Sequence, residues 1–282
     1  MRTVGIIGAG TMGAGMANVA AVSGFQVILC DADEQVLQTS LERIAADLQK
    51  GLERGKLTAQ QFSEARERIH PHHSLESFSN ADIVIEAVVE KLEVKQDIFR
   101  RLEAICQSNA IFATNTSSLS ITAIASVLSR PERVVGMHFF NPAHLMKLVE
   151  IIRGHRTAEA VVSRASDLAR ALGKIPVHAK DTPGFIVNRC ARPFYGEALR
   201  VLGEGIASPE DIDRIVKLEG GFKMGPFELM DLIGIDVNLA VTQSMYDQTF
   251  GEPRYRPHVI QKNMVNANLL GRKTKRGFYD YP

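Results

Sequence analysis

The chain has 282 residues, 45% of them hydrophobic and 23% charged, with a formal net charge of +1. That length suits two domains or one large one, and the apolar content is enough to bury a sizeable core. Near-neutral charge excludes partners held by a basic excess, so neither nucleic acid nor a membrane surface is expected as a partner.

The N-terminus has no apolar signal core, and no apolar run approaches the ~20 residues of a membrane span, so a cytoplasmic protein is expected. Cys30, Cys106 and Cys190 are too few and too scattered for a disulfide framework or a zinc site; free thiols in a reducing compartment are expected. There is no internal repeat and no low-complexity segment.

Val4-Gly5-Ile6-Ile7 reads as a short strand, followed by Gly8-Ala9-Gly10-Thr11-Met12-Gly13 and an alanine-rich helix to Val22. The three glycines fit a tight turn, close backbone approach to a diphosphate and close helix–strand packing, and the helix start offers N–H groups to phosphates. A second strand, Gln26 to Cys30, ends in Asp31, 18 positions after Gly13. Roughly 20 is the spacing of an acid that grips ribose hydroxyls. A carboxylate there repels a 2′-phosphate, so NAD is expected as the cofactor rather than NADP.

From Asp33 to Arg68 the pattern is helical and charged, broken near Gly55-Lys56-Leu57, with Thr58-Ala59-Gln60-Gln61 as a capping box for a second helix. Two helices inserted here would form an arm over the nucleotide fold. Lys50 and Arg54 share a face that could meet an anion, although Asp47 and Glu53 nearly cancel their charge, as on an ordinary solvated surface.

Strands are expected at Ala81–Val88 and Ala110–Thr114, with a helix from about Glu93 to Ile105 between them. Ligands of a doubly wound sheet sit at the carboxyl ends of its strands. Glu90, Asn115 and Ser117 therefore belong at the cofactor edge, although turn chemistry alone would also explain Asn115-Thr116-Ser117-Ser118.

Val134-Val135-Gly136-Met137-His138-Phe139-Phe140-Asn141-Pro142 and Lys147-Leu148-Val149-Glu150-Ile151-Ile152 hold two further apolar runs, one delivering His138 at its end and the other enclosing Glu150. Side by side, they would bring the imidazole to the carboxylate, which fixes the tautomer and stabilises the protonated ring of a general base. The alternative is a loop histidine and an unrelated glutamate.

A helix opens at Thr157, an N-cap residue type, and closes at Gly173; Lys174 to Ala179 is the last strand. Asp181-Thr182-Pro183-Gly184 marks a boundary, with N-cap residue types, a proline suited to the first helical position and a helix expected from about Phe185 to Leu202. Ser208-Pro209, Gly225-Pro226 and Arg256-Pro257 each announce another helix. Asn188, near the start of the helix leaving the boundary, is placed to reach the loop of Ser117 and His138 across an interdomain cleft; it could equally be a capping or surface amide. The expected architecture is α/β then all-α: a Rossmann-like doubly wound sheet with a two-helix insertion over residues 1–182, then a smaller helical domain over 183–282.

These residues, with Lys147-Leu148-Val149-Glu150, Gly184-Phe185-Ile186-Val187-Asn188-Arg189, Asp231-Leu232-Ile233-Gly234 and Gly271-Arg272-Lys273-Thr274, resemble the L-3-hydroxyacyl-CoA dehydrogenase family, of the 3-hydroxybutyryl-CoA type, over essentially the whole length. The resemblance implies NAD-dependent oxidation of an (S)-3-hydroxyacyl-CoA to the 3-oxoacyl-CoA, or the reverse reduction of acetoacetyl-CoA, in fatty acid metabolism. It makes His138 the base and Glu150 its partner, with Ser117 and Asn188 holding the reacting oxygens. Gly8, Gly10, Thr11, Met12, Gly13, Asp31, Glu90, Lys95, Asn115, Asn141 and Lys273 would line the NAD site. Lys50 and Arg54 would meet the CoA end, and a homodimer would form through the helical domain.

The alternatives are a 3-hydroxyadipyl-CoA dehydrogenase, suggested by Met224 to Met230, a β-hydroxy acid dehydrogenase, and a non-catalytic NAD-binding relative. Ala143-His144-Leu145 departs from many members of the family, which leaves acyl-chain preference open.

Overall fold

The computed structural model describes residues Met1–Pro282, whose contacts divide them into two units, Met1–Thr182 and Pro183–Pro282. The first unit runs β1 (Thr3–Ile7), α1 (Thr11–Val22), β2 (Gln26–Cys30), α2 (Glu34–Glu53), α3 (Ala59–Glu67), β3 (Ile69–His72), β4 (Ile83–Glu86), α4 (Leu92–Ile105), β5 (Ile111–Thr114), α5 (Ile121–Ala125), β6 (Val134–Phe139), β7 (Leu148–Arg153), α6 (Glu159–Ala171) and β8 (Ile175–Lys180).

The eight strands form one sheet in the order β3-β2-β1-β4-β5-β6-β7-β8, the doubly wound arrangement expected. Strands β3 through β6 are parallel, whereas β7 runs antiparallel to β6 and β8 follows the direction of β7. The short link from Phe140 to Lys147 makes that reversal natural, because only antiparallel neighbours can be joined without a long crossover.

Helix α1 is alanine-rich because it is covered on both sides: it packs on β1 and β2 and carries the arm α2–α3 on its back. Its small side chains let the layers approach closely. The arm begins where expected, with Thr58 and Gln61 forming the reciprocal capping box of α3.

Strand β3, Ile69-His70-Pro71-His72, was not anticipated. Its proline and two exposed histidines are tolerated because it is an edge strand.

Two capping assignments are corrected. Thr157 does not cap α6, whose N-cap is Ala158; its hydroxyl donates to the Val134 carbonyl at 2.6 Å and accepts from the Gly154 N–H. Asp181 caps nothing in the helix that follows it. Its carboxylate instead accepts from the Ser120 hydroxyl and from the N–H groups of Ile121 and Thr122, at 2.7–3.1 Å, and so ties down the start of α5.

The second unit is helical: α7 (Val187–Gly203), α8 (Pro209–Leu218), α9 (Pro226–Ile233), α10 (Ile235–Gln248) and α11 (Val259–Asn266). Helix α7 starts later than the proline at 183 suggested, with Ile186 as its N-cap. Ser208 caps α8 as expected, and His258, after Pro257, caps α11.

Two buried acids hold the tail. Asp213 accepts from the N–H groups of Phe227 and Glu228 and from the Tyr279 hydroxyl; Asp231 accepts from Phe278, Tyr279 and the Tyr281 hydroxyl. Burial and the hydrogen bond to Asp231 push the Tyr281 phenol up to about 12. A Cβ on Gly225 would lie 2.3 Å from the Asp213 carboxyl and one on Gly277 2.1 Å from that of Asp231, so both acids reach backbone only because these positions are glycine.

Candidate active site

The antiparallel register places His138 of β6 directly opposite Glu150 of β7. The His138 Nδ1 lies 2.7 Å from Glu150 Oε2, and the two residues are 6% and 1% exposed. Glu150 sits between Val149 and Ile151, both sealed from solvent, so its carboxylate has little reorganising water around it. A carboxylate accepting from Nδ1 fixes the ring orientation and assigns proton exchange to Nε2. Phe140 packs on the imidazole, with ring centroids 4.5 Å apart.

The glycine turn at the end of β1 has the geometry of a diphosphate cradle. Gly8 has φ +93°, and a Cβ there would meet the Ala87 carbonyl oxygen at 2.6 Å; a Cβ on Gly13 would overlap the Gly8 oxygen at 1.8 Å. At Gly10 a Cβ would meet nothing within 4 Å, and no side chain caps the start of α1. Open space at an uncapped helix N-terminus fits a phosphate group. Thr11 and Met12 form the first turn, and Arg43 of the arm, which sequence reading missed, donates to the Thr11 hydroxyl at 2.9 Å.

Asp31 turns back on this loop. One of its oxygens accepts from the Ala9 N–H at 2.7 Å and the other from the Asp33 N–H at 3.0 Å. Beside it lies a cavity of about 550 Å³ lined by Ile7, Gly8, Asp31, His73, Val88 and Arg101. The cradle, the acid and the adjoining cavity fit a dinucleotide.

Sequence reading also passed over Glu86, at the end of β4, which is fully buried and organises the neighbouring loops. Its carboxylate accepts from Lys95 Nζ at 2.6 Å, the Thr114 hydroxyl at 2.7 Å and the Val88 N–H at 2.7 Å. Lys95, 1% exposed, reaches Glu90 as well, at 3.2 Å. Expected at the cofactor edge, it stands behind that edge and fixes Glu90.

Glu90 in turn accepts from the hydroxyls of Thr116 and Ser118 and from the Ser117 N–H at 3.1 Å. Burial raises its pKa, but the Lys95 ammonium and these hydrogen bonds outweigh that and hold the carboxyl below its usual range. The Asn115 side-chain oxygen accepts from the Phe139 N–H at 2.9 Å, so it anchors the strand next to His138. Asn141 follows β6 and is exposed at the same edge.

Lys50 and Arg54, together with Lys56, line a cavity of about 360 Å³ between the arm and His144. Asp47 lies 3.8 Å from Lys50 and 3.9 Å from His144, leaving a net positive mouth. The remaining two expected site residues belong to the helical unit. Asn188, on the first turn of α7, accepts from Arg192 at 3.4 Å, and Lys273 pairs with Asp236 at 2.5 Å. No group of three His, Cys, Asp or Glu side chains is placed to hold a metal ion, and no helix is long and apolar enough to cross a membrane.

Comparison with known proteins converges on one family. Residues 3–182 match the family model described as the 3-hydroxyacyl-CoA dehydrogenase NAD binding domain, and residues 184–281 match the corresponding C-terminal domain. The chain is 47% identical to a 3-hydroxyadipyl-CoA dehydrogenase of Escherichia coli, all of this chain aligning with 59% of that protein. It is 41% identical to a 3-hydroxybutyryl-CoA dehydrogenase of Clostridioides difficile, with 98% of both chains covered. The crystal structure of an (S)-3-hydroxybutyryl-CoA dehydrogenase from Ralstonia eutropha superposes with a TM-score of 0.96 at 44% identity, covering 100% of this chain and 99% of that one. The chain therefore belongs to the 3-hydroxyacyl-CoA dehydrogenase family.

Proposed function

We propose that the protein interconverts an (S)-3-hydroxyacyl-CoA, with 3-hydroxybutyryl-CoA as the basic substrate, and the 3-oxoacyl-CoA. The observation that carries this reading is the buried His138–Glu150 pair, held in register by two strands of the sheet that also bears the glycine turn. NAD, when bound, supplies the hydride acceptor.

His138 Nε2 removes the hydroxyl proton during oxidation and returns it during reduction. Glu150 supports the imidazolium in both directions because its carboxylate lies against Nδ1. Ser117, on the loop fastened by Glu90, and Asn188 orient the hydroxyl and thioester oxygens. Misplacement of such groups by about 1 Å can cost ~100-fold in rate. Asp31 and Glu90 meet the cofactor's hydroxyl groups, and Lys95 acts through Glu90. Lys50, Arg54 and Lys56 meet the phosphates of CoA, and Lys273 is a cofactor-binding residue. The protein works in the cytoplasm as a homodimer through its helical unit.

The test follows NADH absorbance with acetoacetyl-CoA. His138→Gln is expected to lower kcat about 10²–10⁴-fold while NADH still binds. An unchanged kcat removes His138 from the reaction. Turnover of free acetoacetate as fast as of its CoA ester would instead assign the protein to β-hydroxy acid chemistry.

A further inference from the structure

A second cavity, of about 360 Å³, opens where the arm meets the glycine turn, lined by Gly10 and Thr11 of the turn and by Asp33, Gln35, Ser40 and Arg43 of the arm. Two helices begin at it, and the chain treats their unpaired N–H groups differently. Helix α2 has its own anion, because the Asp33 carboxylate accepts from the Gln35 and Val36 N–H groups at 2.9 and 3.2 Å. Helix α1 has none. Gly10 offers it no side chain, no acid stands in its first turn, and a Cβ at Gly10 would meet nothing within 4 Å.

Two side chains of α2 point to what is missing at α1. Ser40 is 1% exposed, and its hydroxyl has no hydrogen-bond partner although the residue lines the cavity. Buried hydroxyls are nearly always answered. Arg43, three residues on and on the same side of the helix, reaches back to donate to the Thr11 hydroxyl at 2.9 Å, and no carboxylate pairs with it. Asp47, one turn further along and the natural partner for such an arginine, lies beside Lys50 and His144 instead, at 3.8 and 3.9 Å. The cavity thus gathers a positive helix terminus, an unpaired cation and a spare hydroxyl. An anion with acceptor oxygens answers all three.

We propose that Arg43 is a cofactor-binding residue, which meets the diphosphate of the dinucleotide over the start of α1 with Ser40 as a second donor. This rests on the reading of the glycine turn as the dinucleotide cradle. Such a turn by itself holds phosphate through backbone N–H groups and a helix terminus, which carry only partial charge. A guanidinium adds a whole charge and a planar fork matched to two phosphate oxygens. Arg43 also shares a face of α2 with Lys50 and Arg54, which follow it by about two and about three turns. One helix therefore presents cations at both cavities, and the arm, expected to meet CoA alone, serves both ligands.

The experiment titrates the intact protein and Arg43→Met with NADH and ADP-ribose by calorimetry, and with adenosine by its displacement of NADH. Arg43→Met is expected to weaken NADH and ADP-ribose about tenfold, as for loss of a charge-assisted hydrogen bond, and to leave adenosine, which has no phosphate, unchanged. The difference should narrow as salt rises from about 0.05 to about 0.5 M, because the contact is open to screening. Arg43→Lys should keep part of the affinity, and Ser40→Ala should weaken the same two ligands by a smaller factor. Arg43 is exposed, and matching urea midpoints confirm that the variant is folded. Affinities unchanged by Arg43→Met overturn the proposal. So does an equal loss for adenosine, which makes Arg43 a tie between the arm and α1. An intact protein that binds neither NADH nor ADP-ribose fails the cofactor reading itself.

Discussion

Lys95 in the first unit and Arg192 in the second are both nearly sealed from water, yet the chain surrounds them in opposite ways. Lys95 has two carboxylates within 3.2 Å, Glu86 and Glu90, and Glu86 is itself saturated by Thr114 and the Val88 N–H. Arg192 has carbonyl, hydroxyl and amide oxygens but no carboxylate, and one of its nitrogens is unanswered. A buried charge whose work is to hold other protein groups in place is fully paired. Arg192 is held by neutral oxygens alone, so burial costs it more than it costs Lys95.

The largest effect expected from this contrast is on stability. Lys95→Met strands the Glu86 carboxylate in the sheet and should cost about 3–5 kcal/mol, measured by urea unfolding. Arg192→Leu removes a charge that no acid compensates, and Thr242 still donates to the Asn238 carbonyl at 2.8 Å, so its loss should not exceed about 1 kcal/mol. Equal losses in the two variants would erase the distinction.

A smaller effect sharpens it. The Glu90 carboxyl is held below its unfolded value, so the stability it adds is complete above the ordinary glutamate range and disappears as pH falls through the depressed folded value. Glu90→Gln should flatten that acid limb by less than about 1 kcal/mol, because the side chain is 38% exposed and partly screened. An acid limb identical in both proteins would mean that Lys95 is balanced by Glu86 alone.

Much of this was legible in the sequence where one residue type has one physical use. The glycine turn after β1, the Thr58–Gln61 box and the prolines that lead α8 and α9 depend on local backbone geometry and emerged as read. The His138–Glu150 pair could be anticipated because two apolar runs joined by a short link have few ways to lie.

Long-range pairing was harder to read. Asp181 beside Pro183 looks like a local cap, but its partners lie some 60 positions earlier, and Thr157 bonds back to Val134. Glu86 and Lys95 are nine apart in an otherwise ordinary strand and helix, and burial alone reveals their pairing. Arg192 is one arginine among many on an amphipathic helix; its isolation from acids emerges only once α10 is laid against it. A charge inside an apolar strand, such as Glu86, was the signal available and passed over.

The bonds from Asp181 to the start of α5 also fix where the first unit can be severed. A fragment stopping at Lys180 would discard the three contacts that seat Ser120, Ile121 and Thr122, a few positions after Ser117, whereas one stopping at Thr182 keeps them. Anyone cutting this gene to obtain the nucleotide-binding portion by itself should count that aspartate as its final indispensable residue.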